Sequence, residues 1–130
     1  MLTILYIVLA VILLIFSLQF MMIAGARKLK GKNISGLQGK LKILENKDSK
    51  GLIYFFSPSC RACKVQTPII KELQKSNQNV FDVDVSRDMQ TAKIFGIKAT
   101  PTTILIESGT VKNVLLGVKQ KDVLKSYLHK

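Results

Sequence analysis

Residues 1–26 contain no charged side chain, and from Leu2 to Ala24 the apolar run LTILYIVLAVILLIFSLQFMMIA is broken only by Thr3, Ser17 and Gln19. As a helix this run is about 35 Å long, enough to cross a hydrocarbon core of about 30 Å. A helix that is apolar on every face needs other protein all around it if it is to be buried. A chain of 130 residues leaves too little to surround it. A secretory signal sequence is the competing reading, because Ala24-Gly25-Ala26 resembles a small-residue cleavage site. The run has no basic flank before it, however, and it exceeds the apolar length of about 7–15 residues usual in such signals. The expectation is a retained transmembrane anchor over residues 2–24.

All the charge therefore falls on the remainder, whose 20 Lys and Arg against 8 Asp and Glu give a formal net charge of +12. Arg27, Lys28, Lys30 and Lys32 follow the apolar run directly, and Lys40 and Lys42 come soon after. Short flanks rich in Lys and Arg stay on the cytoplasmic side, which places the C-terminal part in the cytoplasm at the inner or cell membrane. The same cluster would be attracted to anionic headgroups. Residues 25–40, with three glycines in GKNISGLQGK, read as a basic juxtamembrane linker. Nucleic acid is not the expected partner: the lysines are scattered, without interleaved aromatics or a zinc-finger or recognition-helix pattern.

Residues 41–130 read as one α/β domain of alternating elements. GLIYFFS is a short apolar and aromatic run stopped by Pro58, as in a buried strand. From Cys60 the spacing changes to that of a helix, with Val65, Ile69, Ile70 and Leu73 recurring and Pro68 expected to kink it. NVFDVDV is a second strand, RDMQTAKIFGI a short helix stopped at Gly96, and TTILIES and TVKNVLLG a hairpin around Ser108-Gly109. KQKDVLKSYLHK closes the chain as a helix with Val123, Leu124, Tyr127 and Leu128 on one face. Strand, helix, strand, helix, hairpin and helix give a sheet covered by helices.

The only two cysteines, Cys60 and Cys63, stand in SPSCRACK at the expected helix start. Two thiols at this spacing close a small disulfide, and the free N–H groups of a helix start favour a thiolate. Cys60 is the natural nucleophile, and Cys63, one turn on, is placed to attack a mixed disulfide formed at Cys60. Arg61 and Lys64 add positive charge that tunes the thiol further. A structural disulfide closing so short a loop would stabilise little. A structural zinc site needs about four ligands, and the chain offers two Cys and the single His129. Coordination of a soft ion such as Cu(I) by the two thiolates, in metal handling or in assembly of a membrane complex, stays open as the alternative.

Residues 41–130 resemble thioredoxin in more than the Cys pair. GLIYFFS leading into CRAC, Pro68, AKIFGIKATPT and the closing TILIESGTVKNVLLGVKQKDVLKSYL agree in order. The resemblance implies a thioredoxin fold, here preceded by one transmembrane helix, and a protein-disulfide oxidoreductase without cofactor or metal. It implies that Pro101 is cis, although trans is the commoner state of an X-Pro bond. It further implies that Thr100 and Pro101 face Cys60 and present backbone to an extended substrate segment. Partners would be protein disulfides and an upstream thiol electron donor, with the chain a monomer. Anchored relatives are often exported reductases, so the resemblance also raises a periplasmic or extracellular face. The chain departs from the common pattern at Ser59, where Trp is usual, and at Arg61-Ala62 in place of Gly-Pro. Six residues before Cys60 stands Tyr54, where the family buries an Asp as proton relay. These departures bear on proton transfer to Cys63 and on the redox potential.

Overall fold

The computed structural model describes residues 1–129; Lys130, the last residue of the expected domain, lies outside them. The elements run α1 (Leu2–Leu29), a 3-10 segment (Gly39–Glu45), β1 (Lys50–Phe56), α2 (Cys63–Ser76), β2 (Val80–Asp84), α3 (Met89–Ile94), β3 (Thr102–Glu107), β4 (Thr110–Leu116) and α4 (Lys121–His129). From β1 onward this is the order expected from the sequence.

One four-stranded sheet, in the order β2-β1-β3-β4, organises the domain. β1 and β2 are parallel, which requires a crossover, and α2 supplies it. β3 is antiparallel to both β1 and β4. Both faces of the central strands are covered, so Gly51–Phe55 of β1 and Thr102–Ile106 of β3 are all buried, β1 reading as an apolar run and β3 carrying Ile104-Leu105-Ile106 after two buried threonines. Alternate residues feed opposite cores. Ile53 and Phe55 join Val83, Phe95, Ile104 and Ile106 on one face. Leu52 and Tyr54 join Ile70, Leu73, Leu105 and Leu124, under α2 and α4, on the other.

Two boundaries differ from the sequence expectation. α1 continues to Leu29, so Arg27 and Lys28 lie in its last turn, where positive charge complements the negative end of the helix dipole. Residues 2–23 of this helix are exposed throughout. The stretch expected as a linker is also more than a tether. Gly31 N–H donates to the Val111 carbonyl at 2.8 Å, Val111 N–H to that of Lys32 at 3.0 Å, and Ile34 N–H to that of Gly109 at 2.8 Å. Asn33 thereby bridges to Thr110 and covers the free edge of β4 near the hairpin. Ile34 (8% exposed) and Leu37 (4%) are buried in the first core. Three glycines suggested looseness, whereas two apolar residues three apart set the actual role.

The hairpin turn has both central residues at positive φ, 55° for Ser108 and 69° for Gly109. A Cβ on Gly109 would also come within 2.6 Å of the Glu45 carbonyl, so glycine is required there on two counts.

α2 is tied to the edge strand β2 by Asp82, which accepts hydrogen bonds from Lys71, at 3.0 Å, and from Gln74. Burial alone would raise the Asp82 pKa, but these bonds and the Lys71 charge outweigh it and hold the carboxyl below its ordinary value. A carboxyl depressed in the folded state contributes stability that is complete above its unfolded pKa, about 3.9, and is lost as pH falls through the folded value. Asp82→Asn is therefore expected to lower the denaturation midpoint at neutral pH. The difference from the parent should vanish as pH falls below about 4. A constant difference across that range would show that Asp82 acts through packing alone.

Candidate active site

β1 ends at Phe56 and the chain turns through Ser57-Pro58-Ser59, closed by Cys60 N–H donating to the Ser57 carbonyl at 3.1 Å. Cys60 and Cys63 form a disulfide with their Cα atoms 5.3 Å apart. Cys63 is the first residue of α2, and that helix start carries no side-chain cap. Cys63 N–H instead donates to Cys60 Sγ at 3.2 Å. In the dithiol state the same donor and the positive end of the α2 dipole favour a thiolate on Cys60.

The two sulfur residues differ in access. Cys60 is partly exposed, whereas Cys63 is 2% exposed. Arg61 and Lys64 flank them, both exposed, and neither belongs to an ion pair among the described residues. They set a positive potential at the solvent side of the pair.

Thr100–Pro101 is cis, as the resemblance implies. The corner is held by Thr102 Oγ1–H donating to the Ala99 carbonyl at 2.8 Å and by Gly117 N–H donating to the Pro101 carbonyl at 2.9 Å. Because Phe55 pairs with Thr102, Thr100-Pro101 and the turn carrying Cys60 leave the same end of adjacent strands.

Behind the cysteines, the position where the resemblance implies an acid is filled by Tyr54. Its side chain is 0% exposed. Its hydroxyl lies 3.3 Å from the Cys63 carbonyl, to which it donates, and 3.0 Å from Thr67 Oγ1. Burial raises the phenol pKa above its usual value, with the Thr67 bond offsetting part of the shift, so the group stays neutral. It fixes the first turn of α2 and supplies no carboxylate. Tyr54→Phe is expected to cost about 1 kcal/mol of stability, the net worth of an ordinary buried hydrogen bond. It should also prolong the mixed disulfide by several-fold, because Cys63 is held less firmly for attack. An unchanged mixed-disulfide lifetime in rapid acid-quench experiments would limit Tyr54 to packing.

The inward face of α2 was only partly legible. Val65 was expected on it but is 60% exposed; Cys63, Gln66, Ile70 and Leu73 are buried. Gln66 is 0% exposed, and its Oε1 accepts the Lys119 N–H at 2.6 Å, joining α2 to the loop after β4. The available signal was spacing: positions 63, 66, 70 and 73 form a cleaner helical stripe than one beginning at Val65.

A family model described as Thioredoxin matches residues 40–130. Thioredoxin of Rickettsia conorii is 31% identical over 101 residues, which cover 75% of this chain and 95% of the relative. A disulfide bond formation protein of Brevibacillus choshinensis is 33% identical over 89 residues, covering 65% and 75%. Among solved structures, reduced Schistosoma mansoni thioredoxin superimposes with a TM-score of 0.56 at 29% identity, covering 66% of this chain and 86% of that one. The matched family region begins after α1.

Proposed function

We propose that this chain, which belongs to the thioredoxin family, is a membrane-anchored thiol:disulfide oxidoreductase that exchanges disulfides with protein substrates at Cys60 and Cys63. Thiol–disulfide oxidoreductase activity is what the family and the Cys-x-x-Cys pair establish. The observation that carries the division of labour is the unequal access of two bonded sulfurs, one partly exposed and one buried behind it.

In the reducing direction the Cys60 thiolate attacks one sulfur of the substrate disulfide, forming a mixed disulfide and releasing the other substrate sulfur as a thiolate. Cys63, deprotonated as it attacks, then bonds to Cys60 and expels the second substrate sulfur. Two electrons pass to the substrate, and Cys60–Cys63 is left oxidised. An upstream thiol donor reverses the exchange and restores the dithiol. Arg61 and Lys64 favour the attacking thiolate, and Thr100 and Pro101 offer backbone to an extended substrate segment beside Cys60.

The anchor is residues 2–24, supported by a helix that is exposed throughout residues 2–23. Arg27, Lys28, Lys30 and Lys32 on its C-terminal side favour a cytoplasmic catalytic domain.

Topology is tested by treating intact cells with an impermeant reductant, then an impermeant maleimide, and scoring the mass shift at the two thiols. Labelling only after lysis is the expected result. Labelling before lysis would move the domain to the outer face, and a chain trimmed after Ala26 and free of membranes would overturn the anchor.

A further inference from the structure

Where α1 meets the domain, a groove of about 440 Å³ runs between its last turns and β4. On the helix side its wall includes Ile23 and Arg27, which stand one turn apart on one face of α1, and Lys30, the residue that caps its end. On the domain side stand Val114, Leu116 and Lys119. The groove thus joins an apolar floor to three cations, two from the end of α1 and one from the loop after β4, and no carboxylate lines it. Among the described residues, none of the three is in an ion pair. Lys119 is not on a loose loop, because its backbone N–H is held by the buried Gln66 of α2.

Resting on the reading of α1 as a membrane anchor, we infer that this groove binds the headgroup of one anionic phospholipid. The headgroup lies among Arg27, Lys30 and Lys119, and the first part of an acyl chain lies along Ile23, Val114 and Leu116. The occupant follows from charge and position. Three positive side chains outweigh the roughly half negative charge at the α1 C-terminus, so an anion is favoured there. The apolar floor is continuous with the end of the apolar helix, so the anion that fits carries a hydrocarbon tail. The lipid would seat β4 against the membrane surface in a fixed orientation.

Two arms separate this inference from the anchor on which it rests. Flotation of the full chain with vesicles of phosphatidylcholine alone tests the anchor. A chain that stays unbound overturns both readings. Next, the full chain is placed in nanodiscs of phosphatidylcholine carrying a photoactivatable phosphatidylglycerol, and its crosslinks are mapped by mass spectrometry. Crosslinks are expected in both segments 23–30 and 113–119. Lys119→Gln, a change remote from the span, should reduce capture about fivefold, the effect of one basic residue near an anionic surface. Lys47→Gln, with the same loss of charge on an exposed loop, should leave capture unchanged. A chain that floats but captures a phosphatidylcholine probe equally well, or responds alike to both substitutions, overturns the lipid site and leaves the anchor standing.

Discussion

With Cys60→Ser, reduction of a protein disulfide is expected to fall by about a thousandfold or more, the scale of loss when a covalent nucleophile is removed. Cys63→Ser should behave differently. It leaves the partly exposed sulfur able to attack but removes the buried one that would release the partner. Multiple turnover is then lost, while mixed disulfides through Cys60 accumulate and are seen as reductant-sensitive adducts on non-reducing gels. The asymmetry carries the argument. The Cys63 N–H that lies 3.2 Å from Cys60 Sγ belongs to the backbone, so the serine variant keeps it and Cys60 retains its thiolate support. Equal adduct formation by the two variants, or none by Cys63→Ser under oxidising conditions, would remove the assignment of attacking and resolving roles.

A domain cut to begin at Leu41 is expected to be less stable than one begun at Lys30 by about 3–6 kcal/mol, taking about 1.5–3 kcal/mol for each of two buried aliphatic side chains. Ile34 and Leu37 are 8% and 4% exposed and pack with Leu44, Phe95 and Val111. The shorter chain would leave a cavity lined by those residues and expose the β4 edge that Asn33 covers. Against a usual folding stability of about 5–15 kcal/mol this loss is large. Urea denaturation of the two forms checks it, and coincident midpoints would mean that residues 30–40 only lie on the surface.

The second prediction arises where the sequence misled. Glycine spacing in residues 31–40 matched that of a flexible connector, and nothing local shows that Ile34 and Leu37 would meet a core built from residues far along the chain. The strands were easier to read. β1 is central and buried on both faces, so its apolar run named it directly, and β3 was named with β4 by the hairpin signal at Ser108-Gly109. The helix order followed from apolar spacing, whereas the cis Thr100–Pro101 corner followed from the thioredoxin resemblance, since the isolated sequence favours trans there. Of the site, the Cys pair was legible from spacing alone. The role of Tyr54 was not, because a tyrosine within an apolar strand reads as packing until its hydroxyl is found beside the Cys63 carbonyl. Gln66 was hidden for the complementary reason: a polar residue on a helix is assigned to solvent unless its partner, here the distant Lys119 N–H, is known.

The pairing of Gly31, Lys32 and Ile34 with the hairpin leaves almost no slack between α1 and the sheet. From Leu29 to the bridge at Asn33 the chain advances four residues. A free 16-residue Gly-rich tether would let a domain roam with a root-mean-square reach of about 22 Å, and the active sulfur would sample every height within it. With α1 as the proposed anchor, Cys60 would instead be carried at one altitude above the bilayer. Partners whose disulfide lies in that plane would meet it at a raised effective concentration, and those whose disulfide lies outside it would not be reached by stretching. On that proposal, selection among membrane-bound substrates would become a matter of elevation, measurable by inserting flexible residues after Lys30 and following which disulfides gain or lose exchange.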